Sequence, residues 1–417
     1  MRIERALAVP ARGGYFNEDL AAIRAGSPRD AFVYTGEPIS SGFGRINEPS
    51  EAISIVLMLD NGVTVAGDAM SVEYSAAAGR HGRFRVADQL RPFTEVCEYL
   101  EGRQVSSFLE LSDALEEHPF GAGLHRPAAM YGASQALLQA VALDRRLTPA
   151  EVLADELGTT LSETPIAIYA QCGEDRYRGV DRMVLKGVDV LPHGLINEVE
   201  KLGGDGERLA EYVSWVVSRI RSFGDEAYEP ELHFDVYGLL GTIFDGDAGL
   251  IADYLVDLER RAAPYSLCIE TPILLDSRAA QIEGLAEVRA ALRARESRVQ
   301  LIADEWANDV DDIRLFVAAE AVDMVNVKSP DLGSIANAAR CIRACWSGGA
   351  RPILGGSCTD TDLSARVISH VALATQPAWV LARPGMGVDE GLQIVHNEMA
   401  RTLAVVAARA AAIATLA

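Results

Sequence analysis

Residues 231–238 read ELHFDVYG, residues 266–273 read SLCIETPI and residues 300–306 read QLIADEW. Each is a short apolar run that ends in a carboxylate, at Asp235, Glu270 and Asp304, and then passes into turn residues. That pattern predicts three buried strands with an acidic residue at each C-terminal end. The step from one carboxylate to the next is about 35 residues, room for one strand and one crossover helix. A fourth run, MVNVKSPD at 324–331, puts Lys328 at the same relative point. Parallel strands spaced this way build a (β/α) barrel, whose chemistry sits at the C-terminal ends of the strands. Three carboxylates and a lysine are therefore expected to converge on one face.

Outward from this core, TPIAIYAQ (164–171) opens the alternation, and further strands are expected near 182–187, 351–355 and 377–382. With the four above they make eight, enough to close a barrel. Helical stretches such as GERLAEYVSWVVSRIRSF separate most of them. The first part of the chain reads differently. Strands are expected over 1–10 and 52–75, the latter folded at Asn61-Gly62, a strong hairpin signal. Between them YTGEPISSGFGRINEPS reads as a long loop, and 83–157 reads as helical. Thr148-Pro149 marks a helix start, with threonine as N-cap and proline at the first position. The organisation is an α+β domain over 1–160 followed by an α/β (TIM-like) barrel over 161–417.

The 417 residues carry 49% apolar and 24% charged side chains, ordinary for a globular enzyme, and a net charge of −22. That charge would repel nucleic acid and anionic membranes alike. Six cysteines without a paired framework fit a reducing, cytoplasmic setting, and Cys341 and Cys345, four apart on an expected helix, read as buried small side chains. The opening MRIERALAVPARGGYF lacks the apolar core of a signal peptide. Arg401 and Arg409 interrupt the Ala-rich C-terminal run, so it reads as a packed helix and not a membrane span. Glycine-rich phosphate cradles, GxSxG and HExxH are all missing.

Three carboxylates without histidine or cysteine partners form a hard, all-oxygen set suited to Mg²⁺. Any one of them alone would read as a helix cap or an ion-pair partner; the shared spacing and strand-end position favour a metal site. Near a divalent cation Lys328 would lose proton affinity and become available as a general base. His193, in the turn-rich DVLPHGLIN, reads alone as a hydrogen-bonded histidine, but from the second strand it would reach the mouth opposite Lys328. A metal flanked by two bases suits abstraction of a proton next to a carboxylate, because the cation stabilises the enolate-like charge that develops. Residue chemistry carries the reading that far and leaves the leaving group open.

Asp/Glu/Asp ligands on successive barrel strands resemble the enolase superfamily, which pairs a Lys or His base with Mg²⁺. More specifically, FVYTGEPISSGF, AQCGEDRYRGVDRMVLKGVDVLPHGLIN, FDVYG, ADEWAN, KSPDLG, GGSCTDTD and ARPGMGVDEGLQIVHNEM, spread over 32–399, resemble the methylaspartate ammonia-lyase family. The resemblance implies a capping domain on a modified TIM barrel, a homodimer, Mg²⁺ with a monovalent activator such as K⁺, and reversible loss of ammonia from threo-3-methylaspartate to give mesaconate. It assigns Asp235, Glu270 and Asp304 to Mg²⁺, Lys328 to the C3 proton of the main epimer and His193 to the opposite face. Gln171, Ser357 and Cys358 match positions that hold the other carboxylate or the amino group.

Four positions depart from the family pattern: Glu73 and Asn326 stand where it has glutamine, Ser357 where it has threonine, and Ile353 where it has an aromatic residue. Leu381 keeps its apolar wall. Asn326 and Ser357 preserve hydrogen-bonding type, whereas Glu73 adds a charge near the expected ammonium and Ile353 alters the methyl pocket. These changes leave an alternative open, an enolase-type paralogue acting on a differently substituted aspartate or another amino or carboxylic acid.

Overall fold

A computed structural model of the chain describes residues 1–416. The chain begins with a three-stranded antiparallel sheet in the order β1–β2–β3, formed by β1 (Ile3–Glu18), β2 (Asn47–Leu59) and β3 (Thr64–Ala69). Along β2, Ile53, Ile55, Leu57 and Leu59 are buried at alternate positions, the period-2 pattern of a sheet with one face on a core. The β2–β3 turn runs through Asn61-Gly62, with Gly62 at φ 80°, where a side chain would be strained.

Helices Val86–Leu100, Phe108–Glu117, Arg126–Arg145 and Pro149–Leu157 follow. Thr148 caps the last of these: its hydroxyl accepts from the Glu151 amide while the Glu151 carboxylate accepts from the Thr148 amide. Pro149 occupies the first turn and Gly158 ends the helix at φ 64°. A cap of this kind contributes about 1 kcal/mol.

Eight parallel strands then close a barrel in chain order: β4 (Ile168–Tyr169), β5 (Val190–His193), β6 (Glu231–Asp235), β7 (Leu267–Glu270), β8 (Gln300–Ala303), β9 (Met324–Asn326), β10 (Arg351–Leu354) and β11 (Trp379–Leu381). Helices alternate with most of these strands. Glu207–Phe223 buries Leu209, Val213, Val216, Val217 and Ile220, the three-and-four spacing that presents one apolar stripe to the barrel. Tyr169, Val190, Cys268, Ile302, Met324, Ile353, Trp379 and Leu381 fill the barrel interior, so it is a packed core and not a pore. Helix Ile335–Ser347 buries both Cys341 and Cys345. Helix Glu390–Leu416 carries the C-terminal run, and among the described residues no helix is long and apolar enough to cross a membrane.

Several expected boundaries move. Residues 182–187 are not a strand: Arg176–Leu185 is a helix that buries Val180, Met183 and Val184, and the second barrel strand is Val190–His193. A short apolar run such as MVL serves a helix face as well as a strand, and Pro192 masks the real strand. β1 continues to Glu18, past the expected end at residue 10, with an irregularity in register between Arg12 and Phe16. The strands expected over 52–75 are Asn47–Leu59 and Thr64–Ala69, so the long loop ends earlier than its composition implied.

Candidate active site

Asp235 is the last residue of β6, Glu270 the last of β7, and Asp304 follows β8 directly. The parallel register pairs Asp235 with Glu270 across the β6–β7 ladder. One oxygen from each of the three carboxylates lies within 4.8 Å of the others, and all three side chains are buried. Glu270 is held at both oxygens: the Asn326 amide donates to Oε1 at 2.8 Å, and His233 Nε2 meets Oε2 at 2.6 Å. His233 is two residues before Asp235 on the same inward face of β6.

Burial, reinforced by the charge of Glu270, pushes the Asp235 carboxyl well above its ordinary value. Burial and the charge of Asp304 push Glu270 up as well. Asp304 goes the other way, because Lys328 and Arg80 outweigh its burial. Like-charged oxygens crowded together out of water, with the protein's own cations gathered on one of them, are what a divalent cation would relieve. The set fits a hard ion such as Mg²⁺ in donor chemistry.

Lys328 Nζ donates to Asp304 Oδ2 at 2.6 Å. Burial and Arg80 press its pKa down, but Asp304, Glu305 and Glu270 outweigh them and leave it raised. The expected neutral lysine therefore requires those carboxylate charges to be offset. His193 ends β5 at φ 57°, a left-handed conformation that is uncommon outside glycine. Its Nε2 lies 3.4 Å from the Gln171 amide and 3.7 Å from Asp235. Burial, with the neighbouring His233, pushes its pKa down to about 3, so the imidazole is neutral.

The facing wall is composite. The Glu73 amide donates to Ser357 Oγ at 2.9 Å, and the Cys358 thiol donates to Glu73 Oε2 at 3.0 Å. Burial and then Glu73 push the Cys358 thiol well up, which keeps it a protonated donor. Glu73 Oε1 is buried with no hydrogen-bond partner among the described residues. The Ser357 N–H donates to Asp360 Oδ2 at 3.0 Å; the hydroxyl accepts from two backbone amides and keeps its own proton to donate.

Between these walls lies a small cavity of about 20 Å³. Lys328, His193, Gln171, Asn326, Ser357, Cys358, Glu73, Asp235, Glu270 and Asp304 all line it. Leu381 does not: it lies in the barrel-interior cluster with Ile353 and Trp379. Val72, Tyr74, Tyr169, Tyr237 and Gly356 complete the lining; Tyr237 stands in FDVYG and Gly356 in GGSC, but neither was singled out. Arg80 was also missed. Its guanidinium, almost fully buried, reaches Asp304 at 3.2 Å and Asp331 at 3.2 Å from the loop before the first long helix. Glu305, beside Asp304 in ADEW, and His233 were legible by position, since one adjoins a ligand in sequence and the other shares its strand face.

Two family models cover the chain, the methylaspartate ammonia-lyase N-terminus over residues 1–158 and C-terminus over 139–408. Methylaspartate ammonia-lyase 1 of Carboxydothermus hydrogenoformans is 45% identical over 97% of both chains. The chain belongs to the methylaspartate ammonia-lyase family. Its reaction class is therefore that of a carbon–nitrogen lyase. A crystal structure of the Citrobacter amalonaticus enzyme containing (2S,3S)-3-methylaspartic acid superimposes with a TM-score of 0.94 at 41% identity, covering 97% of this chain and 100% of that one. The magnesium complex of Clostridium tetanomorphum β-methylaspartase gives 0.91 at 40%, covering 98% and 100%. A muconate lactonizing enzyme from Pseudomonas fluorescens, at 15% identity and a TM-score of 0.60 over 89% and 84%, shares the fold.

Proposed function

We propose that the chain eliminates ammonia reversibly from threo-3-methylaspartate to give mesaconate. The observation that carries this reading is the convergence of Asp235, Glu270 and Asp304 with Lys328 and His193 in one buried cavity. Asp235, Glu270 and Asp304 would hold Mg²⁺, with K⁺ as a monovalent activator. When bound, Mg²⁺ supplies electrophilic stabilisation of the charge that develops on the substrate carboxylate next to C3.

The protein's own groups do the rest. Lys328 Nζ takes the C3 proton of the main epimer and His193 Nε2 serves the opposite face. The C3–H pair becomes the C2–C3 double bond as the C2–N bond breaks and ammonia leaves. Gln171 and the Ser357 hydroxyl hold the second carboxylate, and Glu73 and Cys358 face the amino group; charge-assisted contacts of this kind fix orientation as well as affinity. Asn326 acts through Glu270. We place the protein in the cytoplasm as a homodimer.

Purified protein with Mg²⁺, K⁺ and threo-3-methylaspartate should generate mesaconate absorbance that chelation abolishes. A folded, magnesium-binding protein that produces no mesaconate would refute the reading. Glu73, which lines the cavity where the family has glutamine, favours one second reading: the same elimination on a differently substituted aspartate. Ile353, buried below the cavity, adds nothing to it. Faster turnover of another 3-substituted aspartate in a substrate panel would establish that reading.

A further inference from the structure

The structure ties two sequence motifs, GGSCTDTD (355–362) and ARPGMG (382–387), together through a buried ion pair. Arg383 is fully buried, and its Nη1 lies 3.1 Å from Asp360 Oδ2. Its Nη2 donates to the carbonyls of Leu354 at 3.0 Å and Gly355 at 2.6 Å, where the chain leaves β10. Asp360 accepts three further hydrogen bonds: from the Ser357 amide at 3.0 Å, the Ser364 hydroxyl at 2.8 Å and the Tyr131 hydroxyl at 2.8 Å. Gly356 is forced by this arrangement, because a Cβ there would collide with the Arg383 guanidinium and the Asp360 carboxylate.

A buried ion pair is weak evidence of stabilisation, since apolar side chains of similar volume generally serve as well. The placement of this one calls for another role. Neither Asp360 nor Arg383 lines the cavity, yet Asp360 holds the amide of Ser357, which does. Tyr131 comes from helix Arg126–Arg145, so the N-terminal part closes the same network. We propose that Asp360, clamped by Arg383 and Tyr131, is a positioning residue. It fixes the Ser357 hydroxyl on the wall facing the acidic cluster and so sets affinity for the second carboxylate of a dicarboxylic substrate. This rests on the lyase reading for the identity of that substrate.

The test compares Tyr131→Phe, Arg383→Lys and Asp360→Asn with wild type. Calorimetry reads Mg²⁺ alone and mesaconate in the presence of Mg²⁺; steady-state kinetics read KM and kcat. Tyr131→Phe removes one hydrogen bond without moving a charge and should raise mesaconate Kd and substrate KM ~3- to 10-fold. Asp360→Asn should raise them ~10- to 100-fold, and Arg383→Lys, which keeps the charge but loses the fork, should raise them by less. Mg²⁺ Kd should stay within about 2-fold throughout, because the acidic cluster belongs to other strands. Mesaconate Kd equal to wild type in both Tyr131→Phe and Arg383→Lys would overturn the proposal and leave the pair as scaffold. If Asp360→Asn does not fold, those two variants decide. A wild type that binds mesaconate without converting the amino acid would unseat the lyase reading alone, since the Kd ratios still test the positioning.

Discussion

The wall that carries Asp235, Glu270 and Asp304 comes from the ends of three adjacent strands, whereas the facing wall joins Glu73 to Ser357 and Cys358 across 284 and 285 residues of chain. The first takes its geometry from barrel register, so substitutions there change charge more than position. The second exists only because residues 71–73 dock on the loop after β10, so substitutions there change shape and affinity. Chemistry and fit are thus supported by different parts of the fold.

The largest expected effect is on the chemical wall. Lys328→Ala should cut kcat for the main C3 epimer about 10³-fold with the circular-dichroism spectrum unchanged, and His193→Ala should do the same for the other epimer. Equal losses on both epimers in each variant would remove the two-base division. Asp235→Asn should weaken Mg²⁺ binding by about 100-fold or more, as loss of a ligand exceeds loss of its supports. It should also stabilise the metal-free protein. The Asp235 carboxyl is pushed up by burial and Glu270, so its ionised form opposes folding at neutral pH, and amide replacement removes that cost. A drop in Tm instead would show that this wall is architectural.

On the composite wall the effects are smaller. Glu73→Gln should change substrate KM about 3- to 10-fold while Mg²⁺ affinity measured by calorimetry stays fixed. A shift in Mg²⁺ affinity would couple the walls and blur the contrast. The smallest effect lies away from both. Hydrogen bonds from His370 and Arg401 hold the Glu398 carboxyl down at about 2. A depressed carboxyl contributes stability that is full above the unfolded value of 4.5 and is lost as pH falls toward 2. Glu398→Gln should therefore flatten the fall in Tm over that window, by about 1 kcal/mol for a partly exposed group, and leave Tm at pH 7 slightly lowered.

The same contrast explains what was legible in the sequence. Asp235, Glu270 and Asp304 stood out because a strand-plus-helix period repeats in the chain, and the parallel register converts that period into proximity. Lys328 followed from the next repeat. The partners of Glu73 carry no such period; family resemblance picked out the positions, but not the Cys358 thiol on its carboxylate or the Asp360 carboxylate on the Ser357 amide. Resemblance also placed Leu381 on the substrate wall, whereas its strand position buries it with Ile353 in the barrel interior. The error at 182–187 has a local cause, since an apolar triplet reads alike in either period. Arg80 left no trace, because an exposed arginine and one bridging Asp304 to Asp331 look the same in one dimension.

The contact between the N-terminal sheet and the loop after β10 runs through Gly14, whose amide donates to the Thr359 carbonyl at 2.9 Å, and through Ser71, whose carbonyl accepts from the Thr359 hydroxyl at 2.7 Å. Both anchors are backbone atoms on the N-terminal side, so they do not depend on which side chain stands at residue 73, although Gly14 must stay glycine because a Cβ there would collide with the Asp360 carbonyl. Residue 73 can then vary during descent while the seam beneath it persists. A gene fusing the first part of a relative to this barrel would inherit a new residue 73 on an intact joint, with the acidic cluster unchanged, which makes the seam a natural crossover point for recombination.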